Sequence, residues 1–147
     1  MFGKTKAFTL IELLIVIAVI SILIGIALPR FKGMQLEGNI AKAKGELRTL
    51  QTAVESYYIH NGSYPANFPS DLETANPNII GSDAPTDPFM SGNDYGFAIS
   101  GNGNYYVIYS AGPDGRRTVR GINNSGDVTG TVNDDIFVSN GNTPASS

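Results

Sequence analysis

A single carboxylate, Glu12, lies near the start of an apolar run that extends from Phe8 to Leu28. An ionised carboxylate near the middle of a membrane costs on the order of 2.5 to 3.5 kcal/mol, and a position one turn from the helix end relieves part of that cost. If the chain were cut between Ala7 and Phe8, a new α-ammonium group would lie four residues before Glu12, on the same chain or on a neighbour. Opposite charges in a low-dielectric layer stabilise each other. The spacing therefore predicts a charge pair that forms only after cleavage.

Three aspartates near the C-terminus form a second candidate site. Asp114 lies at the tip of a tight turn, Ala111 to Gly115, and Asp134 and Asp135 follow further along the chain. Calcium takes about six to eight oxygen ligands, including backbone carbonyls, so two acidic loops brought together could bind it. The spacing is not that of an EF-hand, and an aspartate in a turn commonly bonds to its own backbone. From the residues alone, turn chemistry is favoured over calcium binding.

Few other residues could support catalysis. The chain contains one histidine, His60, at the predicted end of a long helix, and no cysteine. A histidine in that position usually complements the helix dipole. Arg116, Arg117 and Arg120 form a small basic cluster, which we interpret as part of a solvated loop. The sequence therefore predicts a protein that is not an enzyme.

Charge and length restrict the class of protein further. The 147 residues carry a formal net charge of −3, and most of the 10 lysines and arginines lie in the first third of the chain. Nucleic-acid binding needs clustered cations that face phosphates, so we expect no nucleic-acid partner for the C-terminal part. The length suits one small domain beside the apolar run. Without a disulfide, the stability of that domain must come from a core, a metal or assembly.

The apolar run is long enough to cross a membrane once. Its 21 residues would span roughly 31 Å as a helix, at about 1.5 Å per residue. Residues 1–7 carry two lysines and no acid, so the positive-inside rule places that end in the cytoplasm. Two other interpretations stay open. One is a plain membrane anchor, and the other is a secretory signal cleaved after Gly25-Ile26-Ala27, which matches a cleavage site poorly.

The segment after the apolar run is predicted to be an amphipathic helix. Pro29 lacks an amide hydrogen and clashes with the carbonyl of Gly25, so the membrane helix either ends there or continues with a kink. Beyond it, residues 30–60 suit a helix that ends near Asn61-Gly62. Apolar residues recur at helical spacing along one side of it, and they are Leu36, Ile40, Ala43, Leu47, Leu50, Val54 and Tyr57.

The remaining residues predict loops and a small sheet. Residues 61–88 are rich in Pro, Asn, Ser and Asp, which permits at most one helical turn, at Ser70 to Glu73. Tyr95 to Ile99 and Tyr105 to Ser110 suit a β-hairpin with its turn at residues 101–104, and Ile136 to Val138 suits a third strand. The predicted fold class is α+β, with a long N-terminal helix packed on a small antiparallel β-sheet.

The stretch KAFTLIELL resembles the processing site of type IV pilins and of the pseudopilins of type II secretion. In that family a membrane peptidase cuts after a basic leader and methylates the new amino group. The resemblance implies that Ala7 precedes the cut, that Phe8 becomes the N-methylated terminus, and that Glu12 is the fifth mature residue, which acts in assembly. Ala7 stands where the family usually has glycine, and we expect cleavage to remain possible. The resemblance also implies that Pro29 marks where the helix stretches when subunits pack.

Other segments are similar to landmarks of the major pseudopilins of type II secretion. These are YYIHNGSYP, TDPF, YVIYSAGPDG and DDI, at residues 57–65, 86–89, 106–115 and 134–136. In that family a C-terminal loop binds structural calcium, which implies Asp114, Asp134 and Asp135 as ligands, with backbone oxygens of residues 109–112. The chain departs from the pattern in a long segment at residues 116–132 and in Phe89, where tryptophan is frequent.

The resemblance implies a filament subunit with a pilin-like fold. Its parts would be a cytoplasmic leader at residues 1–7, a transmembrane and assembly helix at 8–29, an amphipathic helix at 30–60, and a periplasmic loop-and-sheet region at 61–147. The expected partners are copies of itself, the prepilin peptidase, membrane lipid, an inner-membrane assembly platform with its ATPase, and minor pseudopilins. The alternatives are a surface type IV pilin and a membrane-tethered periplasmic binding domain.

Overall fold

The computed structural model describes residues 8–81 and 83–142, so the predicted leader at residues 1–7, with Ala7, lies outside the described residues. Contacts divide the chain into two compact units, Met1–Glu37 and Gly38–Ser147. The longest element, α1, is a helix over Leu10–Asn61 with Pro29 inside it. The helix therefore continues past Pro29, which resolves the alternative that the sequence left open. It ends where predicted, with Gly62 at φ 72° donating its N–H to the Tyr58 carbonyl oxygen over 2.8 Å.

The second unit is α+β, as predicted. A short helix α2, Ser70–Thr74, follows the long one. Five strands come next, and they are β1 Gly96–Ile99, β2 Tyr106–Ser110, β3 Val119–Ile122, β4 Val128–Gly130 and β5 Ile136–Ser139. An antiparallel sheet has the order β1-β2-β5, and β3 pairs with β4 in a separate antiparallel hairpin. The three predicted strands are confirmed to within one residue at each end, whereas the β3–β4 hairpin was missed within the segment interpreted as a loop.

The central strand β2 is covered on both faces. Side chains of successive strand residues point to opposite faces, and Tyr106 and Ile108 belong to the core beneath α1 whereas Val107 lies between them in sequence and packs with Val119 and Ile122 of β3. All three β2 residues are fully buried. The β3–β4 hairpin therefore closes the face of the sheet opposite the helix.

The predicted apolar stripe of α1 forms much of the core. Four of its seven members are buried, and they are Ala43, Leu47, Leu50 and Val54. Ala53 is buried beside them, although the predicted stripe did not include it. Leu36 was predicted in the stripe but is 41 % exposed. Full burial of a leucine contributes about 1.5 to 3 kcal/mol, so the middle of the stripe holds the helix on the sheet.

Two tyrosine–glutamate hydrogen bonds join α1 to the sheet region. The Tyr95 hydroxyl donates to Glu46 Oε2 over 2.6 Å, and the Tyr106 hydroxyl donates to Glu55 Oε1 over 2.7 Å. Burial, followed by the hydrogen bond to the glutamate, raises the pKa of both tyrosines above the ordinary value of 10.0. The two bonds lie at separate points along the helix and therefore fix its register against the sheet.

Tyr106→Phe should lower the stability of the domain and reduce its sensitivity to alkali. The variant loses the hydrogen bond to Glu55, which costs about 1 to 3 kcal/mol. Because the folded-state pKa of Tyr106 is raised, its contribution is complete below the unfolded-state value of 10.0 and is lost as the pH rises above it. Unfolding followed from pH 8 to pH 12 by near-ultraviolet circular dichroism should show a shallower alkaline loss in the variant. An alkaline loss as steep as in the unsubstituted protein would contradict this assignment.

Candidate functional site

The N-terminal segment of α1 presents an extended apolar surface. Every large apolar side chain from Phe8 to Leu28 is exposed, with Phe8 at 85 % and Leu10 at 87 %. Within the described residues, α1 is the one helix long and apolar enough to cross a membrane. Such a surface is stable only when lipid or other apolar helices cover it.

Glu12 closes a capping box at the start of this helix. The backbone N–H and the hydroxyl of Thr9 both donate to Glu12 Oε2, over 2.8 and 2.7 Å, and the Glu12 N–H donates to the Thr9 hydroxyl oxygen over 3.3 Å. This reciprocal arrangement satisfies amide groups that a helix leaves without partners in its first turn. Among the described residues, the side-chain hydrogen bonds of Glu12 reach Oε2 and leave Oε1 available to a further partner.

Thr9 is the residue that sequence reasoning missed at this end. The pattern Thr-x-x-Glu before an apolar run is a known signature of a capping box, and it is present at residues 9–12. Glu12 was instead considered only as a charge that lacked a partner before cleavage. The carboxylate therefore caps the helix within its own chain and is not an isolated anion.

Asp114 and Asp134 are in contact, and all three C-terminal aspartates accept hydrogen bonds from backbone groups. The Asp114 N–H donates to Asp134 Oδ2 over 2.8 Å, and Asp114 Oδ1 accepts from the Arg116 N–H over 2.7 Å. Asp135 is 7 % exposed. Its Oδ2 accepts from the N–H groups of Thr118 and Val119, each over 2.8 Å, and its Oδ1 accepts from the Thr118 hydroxyl over 2.9 Å.

This donor set fits calcium poorly. The described residues contain no group of three histidine, cysteine, aspartate or glutamate side chains arranged to hold a metal ion. Both oxygens of Asp135 already accept hydrogen bonds from protein donors. Gly112 O, one of the expected backbone helpers, accepts from the Gly115 N–H over 3.0 Å. Calcium binding by these residues stays a prediction.

A fourth aspartate, Asp87, is buried beside the same turn and was not singled out from the sequence. It is 1 % exposed. Its Oδ1 accepts from the Ser110 hydroxyl over 2.7 Å and from the Phe89 N–H over 3.0 Å, and its Oδ2 accepts from the Ala111 N–H over 2.9 Å. The short motif TDPF contains this residue, but its partners on β2 could not be read from local spacing. Asp87 fixes the end of β2 where the turn begins.

The remaining candidate residues have structural contacts. His60 Nδ1 lies 2.8 Å from the Ser56 carbonyl oxygen in the last turn of α1. Arg116, Arg117 and Arg120 are exposed, as predicted for a solvated segment. The Arg117 guanidinium also donates to the Asp94 carbonyl oxygen and lies 5.8 Å from the centroid of the Tyr109 ring. These contacts hold the start of the β3–β4 segment against the sheet.

An apolar helix that begins with a capped glutamate and continues onto a small antiparallel sheet defines a pilin-like subunit. In agreement, residues 3–28 match the model of the prokaryotic N-terminal methylation motif. Residues 30–129 match the model of type II secretion system protein G. Because this match covers more than half of the chain, the chain belongs to the type II secretion system protein G family.

Individual relatives support the same assignment. The chain is 32 % identical to the type II secretion system core protein G of Escherichia coli over 76 % of its length and 84 % of the relative. It is 29 % identical to the core protein G of Pseudomonas aeruginosa over 85 % of its length and 94 % of the relative. It is also 36 % identical to the type IV major pilin protein PilE1 of Neisseria gonorrhoeae, but over only 52 % of its length and 36 % of that pilin. No solved structure matches the chain significantly.

The family and the fold together define what the chain does. It is a pseudopilin, a structural subunit of the pseudopilus that serves type II secretion. The exposed apolar helix and the methylation motif indicate that the subunit is anchored in a membrane before it joins a periplasmic filament.

Proposed function

We propose that the chain is made with a cytoplasmic leader at residues 1–7, is cut before Phe8, and is N-methylated there. The mature chain crosses the inner membrane once through residues 8–29, with its N-terminus in the cytoplasm and its domain in the periplasm. The capping box at Thr9 and Glu12 is the observation that carries this proposal. It begins the helix two residues after the proposed terminus and holds the carboxylate beside that terminus.

The role proposed for Glu12 is to pair with the amino terminus of a neighbouring subunit. Oε2 is occupied by both Thr9 donors, whereas Oε1 can accept from the α-ammonium group of a neighbouring Phe8. In the membrane each charge reduces the cost of burying the other. The pair therefore sets the axial register of subunits as they leave the bilayer. Pro29 is the position at which the helix stretches when the subunits pack.

Processing at Phe8 is tested by mass spectrometry of the protein purified from membranes. We expect a mature N-terminus at Phe8 that carries one methyl group. Since Ala7 has one methyl group more than the glycine usual in the family, Ala7→Gly should be processed at least as fast in a pulse-chase experiment. Recovery of a chain that starts at Leu28 would indicate a secretory signal, and recovery of the uncut chain would indicate a plain anchor. Either outcome would overturn the proposed processing.

The proposed partners follow from this pathway. They are the prepilin peptidase, further copies of the chain, the inner-membrane assembly platform with its ATPase, and minor pseudopilins. Since the described residues offer no candidate active site, the energy for extension would come from the ATPase. A membrane-tethered binding domain is the remaining alternative, and detection of cross-linked polymers in membranes would exclude it.

A second candidate function is a surface type IV pilus. The similarity to a type IV major pilin favours it, but that similarity covers only about half of this chain. Deletion of the chain separates the two functions. A pseudopilin deletion should leave the secreted proteins in the periplasm and leave the surface filaments unchanged. Loss of surface filaments with normal secretion would favour the pilus instead.

A further inference from the structure

Buried carboxylates accept hydrogen bonds from residues on both sides of the turn after β2. On its N-terminal side, Asp87 binds Ser110 and Ala111. On its C-terminal side, Asp135 binds Thr118 and Val119. Within the described residues, no buried side-chain nitrogen or oxygen is left without a hydrogen-bond partner. The buried polar side chains around the turn therefore find their partners within the protein.

Hydrogen bonds from the protein occupy both carboxylate oxygens of Asp135. Two backbone N–H groups and one hydroxyl point at its two oxygens from 2.8 to 2.9 Å. Calcium bound to the same oxygens would lie at about 2.3 to 2.6 Å from them. A carboxylate has about four lone-pair sites on its two oxygens, and three of them hold these donors. Binding calcium would therefore require Asp135 to release the start of β3.

The backbone of the turn also lies close to the acidic segment at Asp134 and Asp135. A Cβ atom on Gly112 would come within 2.1 Å of the Asp134 carbonyl oxygen, and Gly112 has φ 66°, a conformation that favours glycine. The Asp114 N–H also donates to the Asp134 side chain. The backbones of the turn and of the segment at Asp134 are therefore in direct contact.

The donors to Asp135 come from the start of the β3–β4 hairpin. Thr118 and Val119 lie within residues 116–132, and Val119 begins β3. The β3–β4 hairpin packs through Val119 and Ile122 against Val107. Its packing therefore holds the two N–H groups in place, so that they are preorganised to receive the carboxylate.

We propose that this chain closes its C-terminal loop without a metal ion, with Asp135 and the start of the β3–β4 hairpin forming a carboxylate clamp in place of calcium. The inference is independent of the proposed processing and filament function. It concerns only what stabilises residues 111–135. It predicts that the stability of the domain does not depend on calcium. It also predicts that substitution of Asp135 lowers this stability far more than substitution of Asp114.

The test uses the full chain in detergent micelles, with the near-ultraviolet circular dichroism of its tyrosines as the signal for unfolding of the domain. Melting curves are recorded in calcium chloride and in excess EGTA. We expect the two Tm values to agree within about 1 °C. A ligand that binds only the folded state raises Tm, so a calcium-dependent increase of more than about 5 °C would overturn the proposal.

Two variants test whether the carboxylate clamp accounts for the stability of the domain. Asp135→Asn loses the negative charge and one acceptor oxygen, and it should lower Tm by about 5 to 15 °C both with and without calcium. Asp114→Asn, the matched control, should change Tm by less than about 2 °C in both solutions. If both variants lowered Tm in calcium but not in EGTA, the aspartates would be calcium ligands and the proposal would be wrong.

A third variant covers the case in which Asp135→Asn does not fold. Thr118→Val removes the hydroxyl donor to Asp135 but keeps the backbone N–H groups. We expect it to fold, with a Tm lowered by about 3 to 8 °C that is the same in calcium chloride and in EGTA. A Tm unchanged from that of the unsubstituted chain would contradict the clamp.

Discussion

Glu12→Gln should insert into the membrane as well as the unsubstituted chain but should form at least tenfold fewer filaments. Glutamine keeps a side-chain oxygen that can accept the two Thr9 hydrogen bonds, so the helix cap persists. The substitution removes only the charge that is proposed to pair with the Phe8 amino group of a neighbour. Charges about 4 Å apart attract by roughly 4 kcal/mol at an effective dielectric constant of about 20, and each ~1.4 kcal/mol changes an equilibrium tenfold.

The measurement combines membrane fractionation with recovery of sheared, cross-linked filaments and with a secretion assay. Glu37→Gln is a suitable control, since Glu37 is an exposed carboxylate on the same helix but outside the apolar run. It should assemble normally. If Glu12→Gln assembled at the level of this control, the helix cap would be the function of Glu12 and the charge pair would be wrong.

Asp87→Ala should destabilise the domain by about 3 to 5 kcal/mol, because it leaves three donors without an acceptor in a buried site. Those donors are the Ser110 hydroxyl and the N–H groups of Phe89 and Ala111. For a domain of this size, the loss corresponds to a decrease in Tm of about 10 °C or more. Thermal unfolding in micelles, followed through the tyrosine signal, measures it.

Asp94→Ala provides the matched control for this substitution. Asp94 is exposed and lies close to Asp87 in the sequence, and its contact with Arg117 uses the backbone carbonyl, which alanine retains. Exposed positions usually change stability by less than about 0.5 kcal/mol. A Tm for Asp87→Ala within about 2 °C of the control would show that the surrounding groups find other partners.

The sequence alone was sufficient for the elements with strong periodicity. The helix α1 and the buried positions Leu47, Leu50 and Val54 follow from apolar spacing. Strands β1, β2 and β5 follow from β-branched and aromatic runs between turn residues. The β3–β4 hairpin was missed because its strands have four and three residues, include Gly121 and Gly130, and pair with an irregular register. Such strands show no alternation of apolar and polar residues that could be recognised.

The hydrogen bonds of the candidate site residues were predictable only where donor and acceptor are close in sequence. The pattern from Thr9 to Glu12 was visible, although its capping role was overlooked. The contacts of Asp87 with β2 and of Asp135 with β3 were not visible, since these donors lie 23 or 24 and 16 or 17 residues away. Asp135 was expected from family resemblance as a metal ligand, and in the structure it accepts hydrogen bonds from Thr118 and Val119. Short-range patterns cannot distinguish these roles, because both require the same carboxylate in a turn.

The buried carboxylate of Asp87 also bears on where the domain can fold. The chain has no cysteine, and Asp87 joins the segment before β1 to the end of β2 with hydrogen bonds that form as soon as the strands meet. Thiol–disulfide exchange takes seconds to hours and requires an oxidising partner. A domain joined in this way needs neither. Folding of the domain therefore does not depend on the oxidising capacity of its surroundings.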